Sequence, residues 1–304
     1  MTSPNSISPA PPTQLQSGTE YTHISSEANL EAGLYIVSTP IGNLRDITLR
    51  ALDVLSGCHH ILAEDTRQTA KLLSHYKIKT SLSAYHDHNA AKRVPKLVQT
   101  LKEGQVMALV SDAGTPLVSD PGYKLVRAAL EAGVNVVPIP GASAVLAALT
   151  LSGLPSDRFS FGGFLPPKTS ARKAKLQEYK TTADTLMFFE TAPRLKASLE
   201  DVKRVLGDRP MALTRELTKR YEEARHGTIS EIIATLETSA PKGEIVICIG
   251  PSPTGNLWDE ADVLAALPQA IAELGVKRAA EMIAGESGWA KRDVYQLALT
   301  VKDG

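Results

Sequence analysis

Three short apolar runs, residues 34–37, 105–110 and 134–138, each end in a loop of small, turn-forming residues that leads into a helix-prone segment. Runs this hydrophobic are too apolar for a solvated edge and read as parallel strands covered on both faces. In a doubly wound sheet, ligands collect at the carboxyl ends of the strands, where such loops meet. The middle loop, residues 111–122, is the densest: Ser111-Asp-Ala-Gly-Thr-Pro116 is followed by Val118, Asp120, Pro121 and Gly122. Small residues let the backbone approach a ligand, while the carboxylates and hydroxyls bind its polar groups. Asp120 is the expected N-cap of the next helix and Pro121 its first residue. Taken alone, each loop is equally an ordinary strand-to-helix turn; the recurrence favours a ligand site. No loop carries Gly-x-Gly-x-x-Gly or Gly-Lys-Ser/Thr, so neither a dinucleotide nor a triphosphate is the expected ligand.

Around these runs the chain divides. Residues 31–153 predict further strands at 60–63 and 80–84 and helices at 48–56, 66–76 and 87–102, the pattern of a parallel sheet with crossover helices. A second αβ unit over 154–252 predicts strands at 159–164, 185–190, 210–215 and 244–249, with helices at 170–179, 193–206 and 230–238. Gly153 and Pro155 mark the linker between the two units. Beyond residue 255, apolar periodicity predicts helices at 259–274, 277–284 and 290–301, the last two separated by a turn at 285–288. The tail, 256–304, therefore resembles a small helix-turn-helix element. Its Lys277, Arg278, Lys291 and Arg292 either meet phosphates or form the solvated face of a helical cap. Residues 1–30, rich in Pro, Ser, Thr and Gln, read as a disordered extension without the basic start and apolar centre of a signal peptide.

Charge narrows the partners. With 33 basic and 33 acidic side chains the formal net charge is zero, so any nucleic-acid surface must be a local patch. Lys168, Arg172, Lys173, Lys175 and Lys180 form such a patch, with Glu178 the only acid among them. Charge runs of this kind are otherwise solvated helix faces. A second run, Arg215, Lys219, Arg220 and Arg225, is diluted by Glu216, Glu222 and Glu223 and is expected to pair internally. Cys58 and Cys248 have no companion spacing and read as reduced core residues of a cytoplasmic protein. His59, His60, His75, His86 and His88 show no ligand arrangement, so no metal is expected. No apolar run approaches a membrane span.

Six motifs occur in a recognisable order: Ser38-Thr-Pro-Ile-Gly-Asn-Leu-Arg-Asp46, Glu64-Asp-Thr-Arg67, Ser111-Asp-Ala-Gly-Thr-Pro116, Pro138-Ile-Pro-Gly-Ala-Ser-Ala144, Phe188-Phe-Glu-Thr-Ala-Pro-Arg194 and Thr214-Arg-Glu-Leu-Thr-Lys219. Together they resemble the ribosomal RNA small subunit methyltransferase I branch of the tetrapyrrole methylase superfamily, over roughly residues 33–251 and more weakly into the tail. The resemblance implies an α/β fold of two αβ domains with a ligand cleft between them and a small helical C-terminal element. It also implies S-adenosylmethionine as methyl donor, no metal, and a homodimer acting on the 2′-hydroxyl of a cytidine in the decoding region of 16S ribosomal RNA within the small subunit. A corrin or porphyrin precursor methylase shares the fold and donor, and a noncatalytic ribosome-binding factor is the reading from another class.

Site residues follow from motif positions. The superfamily loop Gly-Asp-Pro corresponds to Gly114-Thr-Pro116, so Thr115 takes the aspartate position and the nearest acid becomes Asp112. The resemblance places Gly42, Val118, Ser143 and Ala144 at the donor, Val118 through its backbone, and adds Leu213 and Thr214 from the second unit. It also favours RNA contact by Lys168, Arg172, Lys173 and Lys175. A ribose hydroxyl needs a positioned base or cation to lose its proton. Glu64, Asp65 and Arg67 lie just past one strand, and Glu190 with Arg194 mirror them in the second unit. Each set either orients substrate or closes a strand-helix turn by ion pairing. Finally, the apolar run Leu186 to Phe189 is a candidate dimer face, although a sheet core would bury it equally well.

Overall fold

The computed structural model describes residues 30–252, 258, 260–287 and 289–303, so residues 1–29 of the expected N-terminal extension lie outside the described residues. The first sheet contains β1 (Gly33–Val37), β2 (His60–Ala63), β3 (Leu82–Ala84), β4 (Val106–Val110) and β5 (Val136–Ile139). All pair in parallel, in the order β3-β2-β4-β1-β5. Side chains alternate between two cores, as a strand period of two requires. Tyr35, Val37, Ala108 and Val110 pack under α1 (Leu49–Gly57) and α2 (Thr66–His75). Leu34, Met107 and Leu109 pack under α3 (Asp87–Lys102) and α4 (Tyr123–Glu131). Adjacent strands β1 and β4 thus send their helices to opposite faces, which opens a crevice at their carboxyl ends.

The helix α5 (Ala144–Ser152) joins the units. The second sheet contains β6 (Phe159–Phe164), β7 (Thr185–Thr191), β8 (Pro210–Arg215), β9 (Glu223–Thr228) and β10 (Glu244–Ile249), ordered β6-β7-β10-β8-β9. Only β6 and β7 run parallel. One face buries Leu186, Phe188, Leu213 and Ile247 against α6 (Thr169–Gln177), α7 (Leu195–Leu206) and α8 (Ile229–Thr238). The other face presents Met187, Ala212, Val246 and Cys248 to Val145, Ala148 and Leu149 of α5 and to Ile41 from the first unit. That packing covers only one side of α5, which is apolar nearly all round and leaves Leu146 and Leu151 exposed. Burial pushes the Cys58 thiol up to about 11 and the Cys248 thiol up to about 12, so both are inert at neutral pH.

α9 (Glu260–Leu274), α10 (Val276–Ser287) and α11 (Lys291–Asp303) share a separate core that includes Val263, Leu267, Ile283 and Val294. No helix among the described residues is long and apolar enough to cross a membrane.

Three differences from the sequence expectations have physical causes. β9 was not expected, because Glu-Ala-Arg-His-Gly-Thr lacks alternation; as an edge strand it is held by β8 alone and needs no buried face. α4 starts at Tyr123 rather than Pro121. Its cap is Gly122 at φ 138°, where a Cβ would sit 2.9 Å from Leu109. α10 continues through Gly285 instead of turning there, since packing of Ile283 and Ser287 outweighs the roughly 1 kcal/mol that glycine costs a helix.

Candidate active site

The three loops at the carboxyl edge of the first sheet are tied into one floor. Thr39 and Gly114 exchange backbone hydrogen bonds of 2.8 and 3.0 Å, closing the crevice between β1 and β4. The Thr115 hydroxyl lies 2.9 Å from that of Ser38 and 3.5 Å from the Ala142 carbonyl, so one side chain links all three. Leu117 and Ser119 both hold positive φ, at 74° and 65°. For residues with a Cβ that conformation costs of order 1 kcal/mol or more, and it concentrates at ligand sites.

A cavity of about 280 Å³ opens above this floor. Gly114, Thr115, Val118, Ser143 and Ala144, all expected at the donor, line it from the first unit. Across the cavity stand Phe189, Glu190 and Thr191 of β7 and Gly243 to Val246 leading into β10. Apart from Glu190, the β7 and β10 walls were missed in sequence; the signal was present as the alternate face of two apolar strands, but it needed the position of α5 to be read. Ser143 caps α5 by accepting from the Leu146 N–H at 3.4 Å.

The remaining expected donor residues stand elsewhere. Gly42 packs under the β8–β9 turn, where a Cβ would lie 2.4 Å from Lys219; beside it the Asn43 N–H donates to the Thr218 hydroxyl at 3.0 Å. This contact sets the spacing of the two units. The Asp112 carboxylate accepts from the Asp65 N–H at 2.9 Å. The Leu213 side chain points into the opposite core, and buried Thr214 donates to the Val246 carbonyl at 3.2 Å. None of these four residues lines the cavity.

Structure also separates the acid candidates. Asp65 caps α2 and chelates Arg67, with contacts from 2.6 to 3.2 Å, which holds its carboxyl down at about 2. The Arg67 side chain is otherwise solvent-exposed. Glu190 lines the cavity but is saturated: Ser198 donates at 2.5 Å, the Thr191 N–H at 2.8 Å, and Arg194 lies at 3.4 Å. Glu64 differs from both. Burial, then the charges of Asp120 and Asp112, push its carboxyl up to about 7, against a bond from the Asp112 backbone. Asp120, expected as a helix cap, instead lines the cavity. Its carboxyl is raised by burial and by Asp112, with the Ser111 hydroxyl pulling the other way. An acidic corner of Glu64, Asp112 and Asp120 thus adjoins the cavity.

Basic residues sort as sharply. The guanidinium of Arg172 is committed inside the fold: it is 3% exposed, binds Asp201 through two nitrogens at 2.6 and 2.9 Å, and donates to the Pro166 and Pro167 carbonyls. Lys173 lies 3.4 Å from Asp201, and Lys175 pairs with Glu178 at 2.6 Å. Lys168 is exposed and its ammonium makes no ion pair among the described residues. Three members of the second basic run pair internally, Arg215 and Arg225 on Glu223 and Lys219 on Glu216 and Glu244, while Arg220 lies over the Tyr221 ring at 5.5 Å.

Residues 33–233 match the family model of the Tetrapyrrole (Corrin/Porphyrin) Methylases, and residues 259–302 match the RsmI C-terminal HTH domain. A ribosomal RNA small subunit methyltransferase I from Mesorhizobium japonicum is 49% identical, over 90% of this chain and 94% of that protein. The protein of the same name from Escherichia coli O157:H7 is 46% identical over 90% and 97%. The chain belongs to the ribosomal RNA small subunit methyltransferase I branch of the tetrapyrrole methylases. Its tetrapyrrole methylase fold is shared at TM-score 0.50 by uroporphyrin-III C-methyl transferase from Thermus thermophilus complexed with S-adenyl homocysteine, 19% identical over 71% of this chain and 96% of that one. In this branch the methylase cavity is followed by the helical module α9–α11, whose Lys291 and Arg292 sit beside Glu281 and Asp293 at 2.8 and 3.2 Å.

Proposed function

We propose that this protein transfers the methyl group of S-adenosylmethionine to the 2′-hydroxyl of a cytidine in 16S ribosomal RNA of the small ribosomal subunit, in the cytoplasm. The donor half of the reading rests on the cavity, floored by the strained 114–119 loop and the start of α5 and walled by the second sheet, and the acceptor half on the relatives at 49% and 46% identity that are named for ribosomal RNA. Its contents fit the donor. Small residues at Gly114 and Ala144 admit close backbone approach, Val118 and Val246 offer apolar walls, and the carboxylate of Asp120 suits a cationic guest. When bound, the donor supplies an electrophilic methyl whose displacement leaves a neutral thioether. The ribose oxygen would displace the neutral thioether from the methyl carbon, and Glu64, in the acidic corner that Asp120 extends to the cavity and with its carboxyl pushed up to about 7, would take the hydroxyl proton. The chain's main contribution is alignment of the two reactants.

The test is incubation of the protein with labelled donor and small subunits lacking the modification, followed by nucleotide mapping. Label at a decoding-region ribose supports the reading. Label only in a tetrapyrrole, or none despite tight subunit binding, overturns it.

Ser143→Leu should weaken binding of S-adenosylhomocysteine by about 5–150-fold, because added volume in a packed site costs about 1–3 kcal/mol. Ser143→Ala should keep that affinity and lose only the cap, about 1 kcal/mol of stability. Calorimetry and melting curves check both, and unchanged affinity in the leucine variant removes Ser143 from the pocket.

A homodimer completes the reading. The run Leu186 to Phe188 is fully buried within the sheet cores and offers no free face. Leu146 and Leu151 of α5 are 55% and 41% exposed and supply one instead. Light scattering should give twice the 32.5 kDa chain mass, and Leu146→Glu with Leu151→Glu should return it to one.

A further inference from the structure

Strand β6 ends in an arrangement that local folding does not require. Its pairing with β7 shifts register between Phe161 and Phe164, across Gly162 and Gly163. In an unbroken strand, residues three apart face opposite sides. Here both rings pack on Phe189, at centroid distances of 4.8 and 5.4 Å and inclinations of 64° and 63°. The bulge re-aims Phe164, the role bulges play beside active sites. Both glycines are needed for it. A Cβ on Gly162 would lie 2.3 Å from the Phe188 ring, and Gly163 holds φ 66° with its Cβ position 3.2 Å from the Ser119 hydroxyl of the donor-side loop.

The re-aimed ring lines the cavity yet remains 53% exposed at its mouth. The segment that follows is pinned, since Arg194 donates to the Leu165 carbonyl and Arg172 to those of Pro166 and Pro167. Pinning fixes the ring on one side and exposed Lys168 on the other. A fixed aromatic face beside a cation, at the entrance to a methyl-transfer cavity, matches the chemistry of an unstacked nucleotide: a base for the ring and a phosphate for the ammonium.

We infer that Phe164 is the platform on which a pyrimidine base of the RNA acceptor stacks after leaving its own helix, with Lys168 holding the adjoining phosphate. This rests on the RNA reading proposed above. An enzyme acting on one ribose must fix that nucleotide against the donor, and base stacking does so without demanding sequence readout. The fused requirement of bulge, paired glycines and the pinning arginines, Arg172 buried and Arg194 half-buried, is then the means of holding one ring at the mouth.

The experiment compares full-length wild type, Phe164→Leu and Phe164→Trp on small subunits lacking the modification, with S-adenosylhomocysteine affinity and light scattering measured alongside. Phe164→Leu should raise KM for subunits about 5–150-fold, the range for losing one stacked base, while donor affinity stays within about twofold. Phe164→Trp should restore KM, and its added indole fluorescence should be quenched by subunits relative to the background of Trp258 and Trp289. Weakened donor affinity in the leucine variant assigns the ring to the donor and overturns the inference. A changed particle mass assigns it to a contact between copies and does the same, as does an unchanged KM. If wild type labels ribosomal RNA and Phe164→Leu matches it, the stacking inference alone fails; if wild type labels none, the functional reading fails and the inference with it.

Discussion

Replacing Glu64 by Gln should lower the rate of methyl transfer by about 10²–10⁴-fold, the usual contribution of a positioned general base. Glutamine keeps the shape and removes the proton acceptor, so donor affinity should hold. The wild-type rate should rise with pH and level off above about 7, where the Glu64 carboxyl is pushed up by burial and by Asp120 and Asp112. That rising limb should vanish in the variant. Stability should move the opposite way. A carboxyl whose folded pKa lies above its unfolded value stabilises the fold fully only below the unfolded pKa, and the benefit is lost as pH rises through about 7. Above that pH the glutamine variant, carrying no charge at residue 64 beside Asp112 and Asp120, should melt higher than wild type. A variant that retains the rate and the pH limb would move the base to Asp120, the cavity carboxylate beside it.

The legible parts of this molecule were those where tertiary structure repeats what the local sequence states. β1 and β4 are buried on both faces, so their unbroken apolar runs announce a parallel sheet, and their loops had to meet at its carboxyl edge. Asp120 shows the limit: Asp-Pro-Gly matches a helix start locally, and only burial over the cavity floor assigns the carboxylate elsewhere. Leu213 shows another. A strand period of two tells that Leu213 and Thr214 face apart, but not which face looks into the cleft. At Phe164 the clue was in the sequence, as two glycines inside an aromatic strand, yet a bulge reveals its purpose only when the ring's neighbours are known.

Arg172 was hidden for a third reason, and its replacement should have the largest effect on stability. By composition it belongs with Lys168, Lys173 and Lys175, since its partner Asp201 lies 29 residues further on. In the fold both side chains are nearly sealed, at 4% and 7% exposure. Arg172→Ala strips a buried carboxylate of its two guanidinium bonds and two carbonyls of their donor, and breaking a buried pair costs about 3–5 kcal/mol. Lys173, 3.4 Å from the same carboxylate, keeps a cation nearby and sets the loss toward the lower end. Chemical denaturation measures it. Pairing Arg172→Met with Asp201→Leu should recover most of the stability, because no uncompensated charge is then buried. Subunit affinity supplies the opposing test: a side chain that never touches phosphate leaves the salt dependence of binding as steep as in wild type. Full stability in Arg172→Ala, together with a slope shallower by about one, would return the arginine to the RNA surface. A normal slope with lost stability makes it a structural residue, held by Asp201 and holding the Pro166 and Pro167 carbonyls, that leaves Lys168 in place for the phosphate.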